Sequence, residues 1–272
     1  MSAAVYSVER LDAQTFRIDE CGRDNCYLLL GDDRALLIDC SIGTGDLAAL
    51  VRTLTDLPLT VAATHGHGDH LGAGYQFEAV YVPKEDCTHN FRLQNTRLIR
   101  RTLLSNTMKK AGITKRDVRG DNFRAQWLPM EAPMTFDLGG RTVRTMRTPG
   151  HTAGSTVFLD EGRGLMFTGD HVCPVLPMHT YRALPLEVWL ASAKETLLPA
   201  QQGVQMWCGH GNGRVTAAQL SHHIQNAEAL LREYPTNAPR KHLIFYPAFS
   251  PDGCIHCDTA NLRRPQRGRC RP

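Results

Sequence analysis

Residues 64–70 read Thr64-His65-Gly66-His67-Gly68-Asp69-His70, three imidazoles and a carboxylate within six positions at the end of the apolar run Val61-Ala62-Ala63. Neutral imidazole nitrogen and carboxylate oxygen are the ligand types of zinc and its first-row neighbours. The interleaved glycines permit tight turns, so successive side chains can converge instead of splaying to opposite faces. A histidine-rich surface loop is the plainer alternative, but twelve histidines in 272 residues do not often cluster so densely. Further donors recur in similar settings: His151 after Thr148-Pro149-Gly150, Asp170 after Phe167-Thr168-Gly169, and His210 within Cys208-Gly209-His210-Gly211. Each follows a strand-like run and adjoins a glycine, as a loop donor at the rim of a sheet should.

The elements that must position these loops are legible in outline. Short strands are expected at 4–10, 15–19, 26–30 and 34–39, with Gly31-Asp32-Asp33 as a hairpin-type turn. Leu47, Leu50, Val51 and Leu54 fall at helical spacing. Strand signals return at 125–129, 133–138, 142–148, 156–159 and 164–168. Leu186, Trp189, Leu190, Ala193 and Leu197 make one helical stripe, which Pro199 should stop. Thr216 with Gln219 forms a capping box for a second helix, whose apolar face is Leu220, Ile224, Ala227, Leu231 and Tyr234; His222 and His223 should be exposed. After Pro235 the pattern decays, and 263–272 is an Arg/Pro/Gly tail expected to be mobile. The order suggests two packed sheets with helices outside, divided as a catalytic domain over 1–235 and a C-terminal extension over 236–272.

Composition narrows the class. Hydrophobic content of 42% and charged content of 21% are those of a globular chain. No apolar run approaches the ~20 residues of a membrane-spanning helix, and the first ten residues lack a basic start followed by an apolar stretch. A cytoplasmic protein without membrane contact is expected. Nine cysteines, an odd number spread thinly, read as reduced thiols. Cys254-Ile255-His256-Cys257 with Cys270 could bind zinc but lacks a second pair at ligand spacing, so an unstructured thiol pair is the expectation. The net charge of +4 is uneven: residues 84–124 carry eleven Lys/Arg against four Asp/Glu, and 263–272 carry five Arg and no acid. Segment 84–124 reads as a basic, largely helical insertion with Arg97, Arg100 and Arg101 exposed. It points to an anionic small-molecule substrate. Aromatic residues are 7% and do not interleave with the basic patch, so nucleic acid is not the expected partner.

His65-x-His67-x-Asp69-His70 followed by His151, Asp170 and His210, with Asp39 closing the strand Leu36-Leu37-Ile38-Asp39, resembles the metallo-β-lactamase superfamily over roughly residues 5–215. The resemblance implies an α+β, αββα sandwich with mixed sheets and a dinuclear metal site at one edge. It implies that His65, His67 and His151 hold one metal, that Asp69, His70 and His210 hold the other, and that Asp170 bridges them. Asp39 would orient the site from outside. Two zinc ions per chain are expected, with iron or manganese as alternatives. A bridging hydroxide would attack a carbonyl, with Asp69 orienting it and moving its proton.

Asp170 carries the most information about reaction type. True metallo-β-lactamases typically lack this bridging aspartate, whereas glyoxalase II-type thioesterases, lactonases, phosphodiesterases and tRNA-processing nucleases resemble this chain in having it. The expected enzyme is a hydrolase of an ester, thioester or lactone, with β-lactam turnover at most a weak side activity. Residues 172–182 would line the pocket, with His179 or Tyr181 donating to the developing oxyanion. Two alternatives stay open: a phosphodiesterase or RNA-processing nuclease, and an oxidoreductase resembling the mono-iron persulfide dioxygenases.

Overall fold

The structure, a computed structural model, describes residues 5–88, 95–121, 125–180, 182–235, 244–246 and 253–263. Side chains of the first sheet alternate between its two faces. Its seven strands are β1 (Tyr6–Asp12), β2 (Thr15–Glu20), β3 (Asp24–Leu30), β4 (Ala35–Ile38), β5 (Leu59–Ala62), β6 (Ala79–Pro83) and β7 (Gln126–Met130), in that spatial order. Pairing is antiparallel from β1 to β4 and parallel from β4 to β7. Tyr27, Leu29, Leu36 and Ile38 face inward, while Cys26, Leu28 and Leu37 face outward. The outward set packs on α1 (Leu47–Leu54) through Leu47 and Val51, and the Asp46 side chain caps that helix by accepting from Ala49 N at 3.0 Å.

The second sheet contains β8 (Thr135–Asp137), β9 (Thr142–Arg147), β10 (Thr156–Asp160), β11 (Leu165–Gly169), β13 (Gln205–Cys208) and β14 (Arg214–Val215), ordered β14-β13-β11-β10-β9-β8. Its Phe136, Val143, Phe158, Phe167 and Trp207 meet the inward set of the first sheet in a shared core. Its opposite face packs Val157, Met166 and Met206 against two long helices, α5 (Leu186–Gln201) and α6 (Ala217–Glu233). Helix, sheet, sheet and helix therefore stack as the αββα sandwich that the resemblance implies. The capping box of Thr216 and Gln219 is present at the start of α6.

Several expectations are corrected. Pro199 lies inside the last turns of α5 and does not end it. The ring removes a single N–H, and the turn that follows still closes, with Gln202 N donating to the Pro199 carbonyl at 3.1 Å. His223 is fully buried, with Nε2 donating to the Cys173 carbonyl at 2.8 Å, since α6 is covered on that side by the C-terminal segment. The pattern also does not decay into an unstructured thiol pair. Cys254–Cys257 form β16, which runs parallel to β12 (Val175–Met178) and antiparallel to β15 (Ile244–Tyr246) in a third, small sheet; Cys254, Ile255 and Cys257 are buried. Of the predicted mobile tail, all but Arg263 lies outside the described residues.

Among its described residues the basic insertion is helical only in short turns. It contains α3 (Arg97–Arg100) and α4 (Asn106–Lys110), each about one turn, around a small core of Leu104, Met108, Ile113 and Val118 with Ile42. Arg97 is exposed, but Arg100 is completely buried. Its guanidinium donates to the carbonyls of Asn95, Ile42, Arg119 and Gly120, which binds the insertion to the body. Among the described residues no helix is long and apolar enough to cross a membrane.

Candidate metal centre

The predicted donors converge because the strands that carry them share a direction. β4 is parallel to β5, and β11 is parallel to β13; β9 and β11 each run antiparallel to β10. Asp39 follows β4, the histidine cluster follows β5, His151 follows β9, Asp170 follows β11 and His210 follows β13. All five loops therefore leave the C-terminal ends of their strands at one rim of the sandwich. The cluster turns into a single helical turn, α2 (Gly68–Leu71), which carries Asp69 and His70.

Donor atoms meet in three groups, each with its ligand atoms within 4.8 Å of one another: His65, His67 and His151; Asp69, His70 and His210; and His65, His70 and Asp170. In the first, His65 Nε2 and His151 Nε2 lie 3.1 and 2.9 Å from His67 Nδ1. In the second, His210 Nε2 lies 4.0 Å from Asp69 Oδ2. Asp170 stands between the groups, with Oδ1 3.2 Å from His70 Nε2 and 3.1 Å from His210 Nε2, and Oδ2 3.5 Å from His151 Nε2.

Outer partners fix the imidazoles. His151 Nδ1 lies 2.8 Å from the Pro177 carbonyl, which can only accept, so Nδ1 carries the proton and Nε2 turns its lone pair inward. His210 Nδ1 faces the Arg23 carbonyl and Asp24 Oδ1, both at 3.1 Å. His70 Nδ1 donates to Asp39 Oδ2 at 2.9 Å, and Asp39 Oδ1 accepts from Thr64 N at 2.7 Å. Asp39 achieves this from a left-handed backbone, φ 65°, a conformation that costs a non-glycine residue about 1–2 kcal/mol. These links restrain ring rotation, as outer partners of metal-binding histidines do.

The electrostatics separate the two groups. Burial, reinforced by the neighbouring imidazoles His70, His151 and His67, pushes His65 well below the usual imidazole range, and burial with His67 pushes His151 down to about 3. Both are neutral donors at pH 7. For His70, burial opposes the charged form, but Asp170 and Asp39 outweigh it and raise the ring well above its usual range; Asp170 and Asp24 do the same for His210. Burial would raise Asp170, yet His210 and His70 hold it well below the carboxylate range. The field that draws protons onto His70 and His210 would equally draw a dication, with release of those protons. Imidazole nitrogens, anionic carboxylates and restrained rings together make a donor set suited to first-row metal ions.

A cavity of about 980 Å³ opens onto these groups, lined by His67, Asp69, His151, Asp170 and His210 together with residues of the 172–182 segment. His179 lines it, but its Nδ1 faces the His256 carbonyl at 3.3 Å and its ring packs on that of His256, so that N–H is already engaged. Tyr181 lies outside the described residues. Cys40 and Cys208 are small buried residues beside the site, as expected.

Two functional neighbours carry no signal in the sequence. Arg23, immediately before β3, places Nη1 2.6 and 2.8 Å from the Asp24 carboxylate and Nη2 3.1 Å from Asp69 Oδ2. Burial would raise Asp69, but Arg23 together with His70 and His210 outweighs it and keeps Asp69 well below the carboxylate range. Asp86 is buried beneath the cluster and accepts from the backbone of two donor loops. An isolated Arg-Asp pair and a lone aspartate in a basic stretch look like surface residues until the loops close over them.

The metallo-beta-lactamase superfamily model matches residues 20–198, and the chain belongs to that superfamily. Acyl-coenzyme A thioesterase MBLAC2 of Bos taurus is 30% identical over 166 residues, covering 55% of this chain and 58% of that protein, so the match spans little more than half the length of that relative. Hydroxyacylglutathione hydrolase GloC of Haemophilus influenzae is 24% identical over 203 residues, covering 70% of this chain and 86% of that one. Among solved structures, a metallo-beta-lactamase family protein of Thermus thermophilus superposes with a TM-score of 0.54 at 21% identity, covering 85% of this chain and 83% of that chain. That likeness supports the sandwich fold.

Proposed function

We propose that this chain is a dinuclear, zinc-dependent hydrolase that cleaves a thioester. The observation that carries the reading is the meeting of seven donors in two groups joined by Asp170, five of them on the wall of one cavity. His65, His67 and His151 would hold one ion and Asp69, His70 and His210 the other, with Asp170 shared. Bound there, two dications supply a water whose pKa falls from ~15.7 toward ~7 and a Lewis acid for the carbonyl oxygen. The relatives named for acyl-coenzyme A and hydroxyacylglutathione support a thioester over other carbonyl substrates.

The chain's own groups then have distinct tasks. Asp69, kept anionic by Arg23, accepts a hydrogen bond from water and orients it; its low proton affinity makes it an orienting group more than a store for the proton. Asp39 and the Pro177 carbonyl hold His70 and His151 in the ring orientation that binding requires. The 172–182 segment supplies the cavity wall against which the acyl group is positioned.

The test is a panel of thioester, lactone, β-lactam and phosphodiester substrates offered to the metal-loaded protein, with His67→Ala and Asp69→Asn as controls. Thioester turnover that is lost in both variants, with the fold preserved, is the expected result. Turnover of phosphodiesters alone, or full activity in either variant, would overturn the assignment.

A further inference from the structure

The cavity at the metal centre has a second set of wall residues of another chemical kind. Ile99, Leu103, Pro174, Val175 and Pro177 line it together with the candidate ligands. Ile99 and Leu103 come from the insertion whose composition suggests a cationic grip on the substrate. Arg100, between them, is withdrawn into the body to hold backbone carbonyls, and the residues given to the cavity are the apolar ones. Ile99 is 42% exposed and its neighbour Leu98 71%, and both are large apolar side chains left in solvent on one helical turn. Among the described residues, Arg23 is the Lys/Arg side chain on the cavity wall, and Asp24 and Asp69 already hold it.

Exposed apolar surface beside a binding cavity marks a place where an apolar partner is taken out of water. Because the same cavity contains the metal donors, its occupant is the substrate of the site. We infer that Ile99 and Leu103, with Pro174, Val175 and Pro177, hold the hydrocarbon tail of the acyl group, and that Ile99 sets the acyl-chain preference of the enzyme. The inference rests on the thioester reading above and adds to it a substrate class: unbranched, uncharged acyl groups of medium or greater length, selected by the insertion.

The experiment measures kcat/KM of the zinc-loaded full chain for saturated acyl thioesters of coenzyme A from acetyl to dodecanoyl. With the carrier constant, only the tail varies. The wild-type value should rise with length by up to roughly fourfold per methylene buried. In Ile99→Asp the decanoyl-to-acetyl ratio should fall at least tenfold, and in Ile99→Ala it should fall in the same direction by a smaller factor. Ile99 is partly exposed, so the alanine variant tests the wall without a burden on folding. A flat wild-type profile, or variants that lower acetyl and decanoyl alike, would overturn the inference while leaving the thioesterase reading intact. Absence of turnover with every thioester would refute both.

Discussion

Asp86 is the support on which both loops of the first donor group rest, and Asp86→Asn tests that role with almost no change of volume. Oδ2 accepts from Gly66 N at 2.8 Å and Thr152 Oγ1 at 2.7 Å, and Oδ1 accepts from Gly154 N at 2.9 Å. Gly66 lies between His65 and His67, and Thr152 follows His151. The approach is close enough that a Cβ on Gly66 would come 2.8 Å from Asp86 Cβ, and one on Gly154 2.7 Å from its Cγ. Whichever way the amide is turned, its NH2 must face a backbone N–H, either that of Gly154 or that of Gly66. Thr152 can turn its hydroxyl to Ser155 Oγ, 3.0 Å away, but a backbone N–H of Gly66 or Gly154 cannot turn. One buried donor without an acceptor costs about 1–3 kcal/mol. Displacement of the His65–His67 loop from the His151 loop should also weaken metal binding by about 10–100-fold, the usual effect of removing an outer partner. Urea unfolding of the metal-free protein reads the first effect, and zinc competition against a chromophoric chelator reads the second. A stability loss below about 0.5 kcal/mol, the level of an unremarkable surface change, with unaltered zinc affinity would refute the reasoning.

Asp39→Ala should lower zinc affinity about 10–100-fold at the group containing His70, because Nδ1 of that ring loses its acceptor; the chelator competition should show that site weakened more than the other, which Asp39 reaches only through Thr64. Gly72→Ala should destabilise the fold by roughly 3 kcal/mol, since its Cβ would stand 2.1 Å from the Ile42 carbonyl oxygen, and a thermal melt will show it. Burial pushes His223 down to about 4 from an ordinary value near 6.5. The unfolded chain therefore binds the extra proton first as pH falls, and the stabilisation is complete above about pH 6.5 and lost toward pH 4. His223 should account for about 3 kcal/mol of that acid sensitivity, which His223→Gln should remove in unfolding curves taken across this window; an identical pH dependence in the variant would contradict the assignment.

How much of this was legible in the sequence depends on how local the signal is. Six of the seven donors adjoin a glycine, and all seven follow the ends of apolar strands, so residue type, spacing and position agree, and the structure brings all seven to one rim. The order of strands and helices suggests two packed sheets, and the resemblance carried by the donor motifs implies the αββα sandwich; within the continuous apolar run Tyr27-Leu28-Leu29 one side chain in two faces the other sheet. What escaped detection depends on distant neighbours. Arg100 looks like an exposed cation because nothing local announces the ring of carbonyls it binds. His223 is buried by a strand from the far end of the chain, and β16 has no helical or strand periodicity long enough to show itself. Arg23 and Asp86 gain their roles only when loops far apart in sequence close on them.

Whether two cations share these seven side chains is decided by elemental analysis of the purified full chain after zinc loading. Two zinc ions per chain are expected, one for each donor group flanking Asp170, falling to one in His210→Ala and in His151→Ala. A chain that binds no metal under any loading condition, or whose metal content is unchanged in both variants, would contradict this expectation.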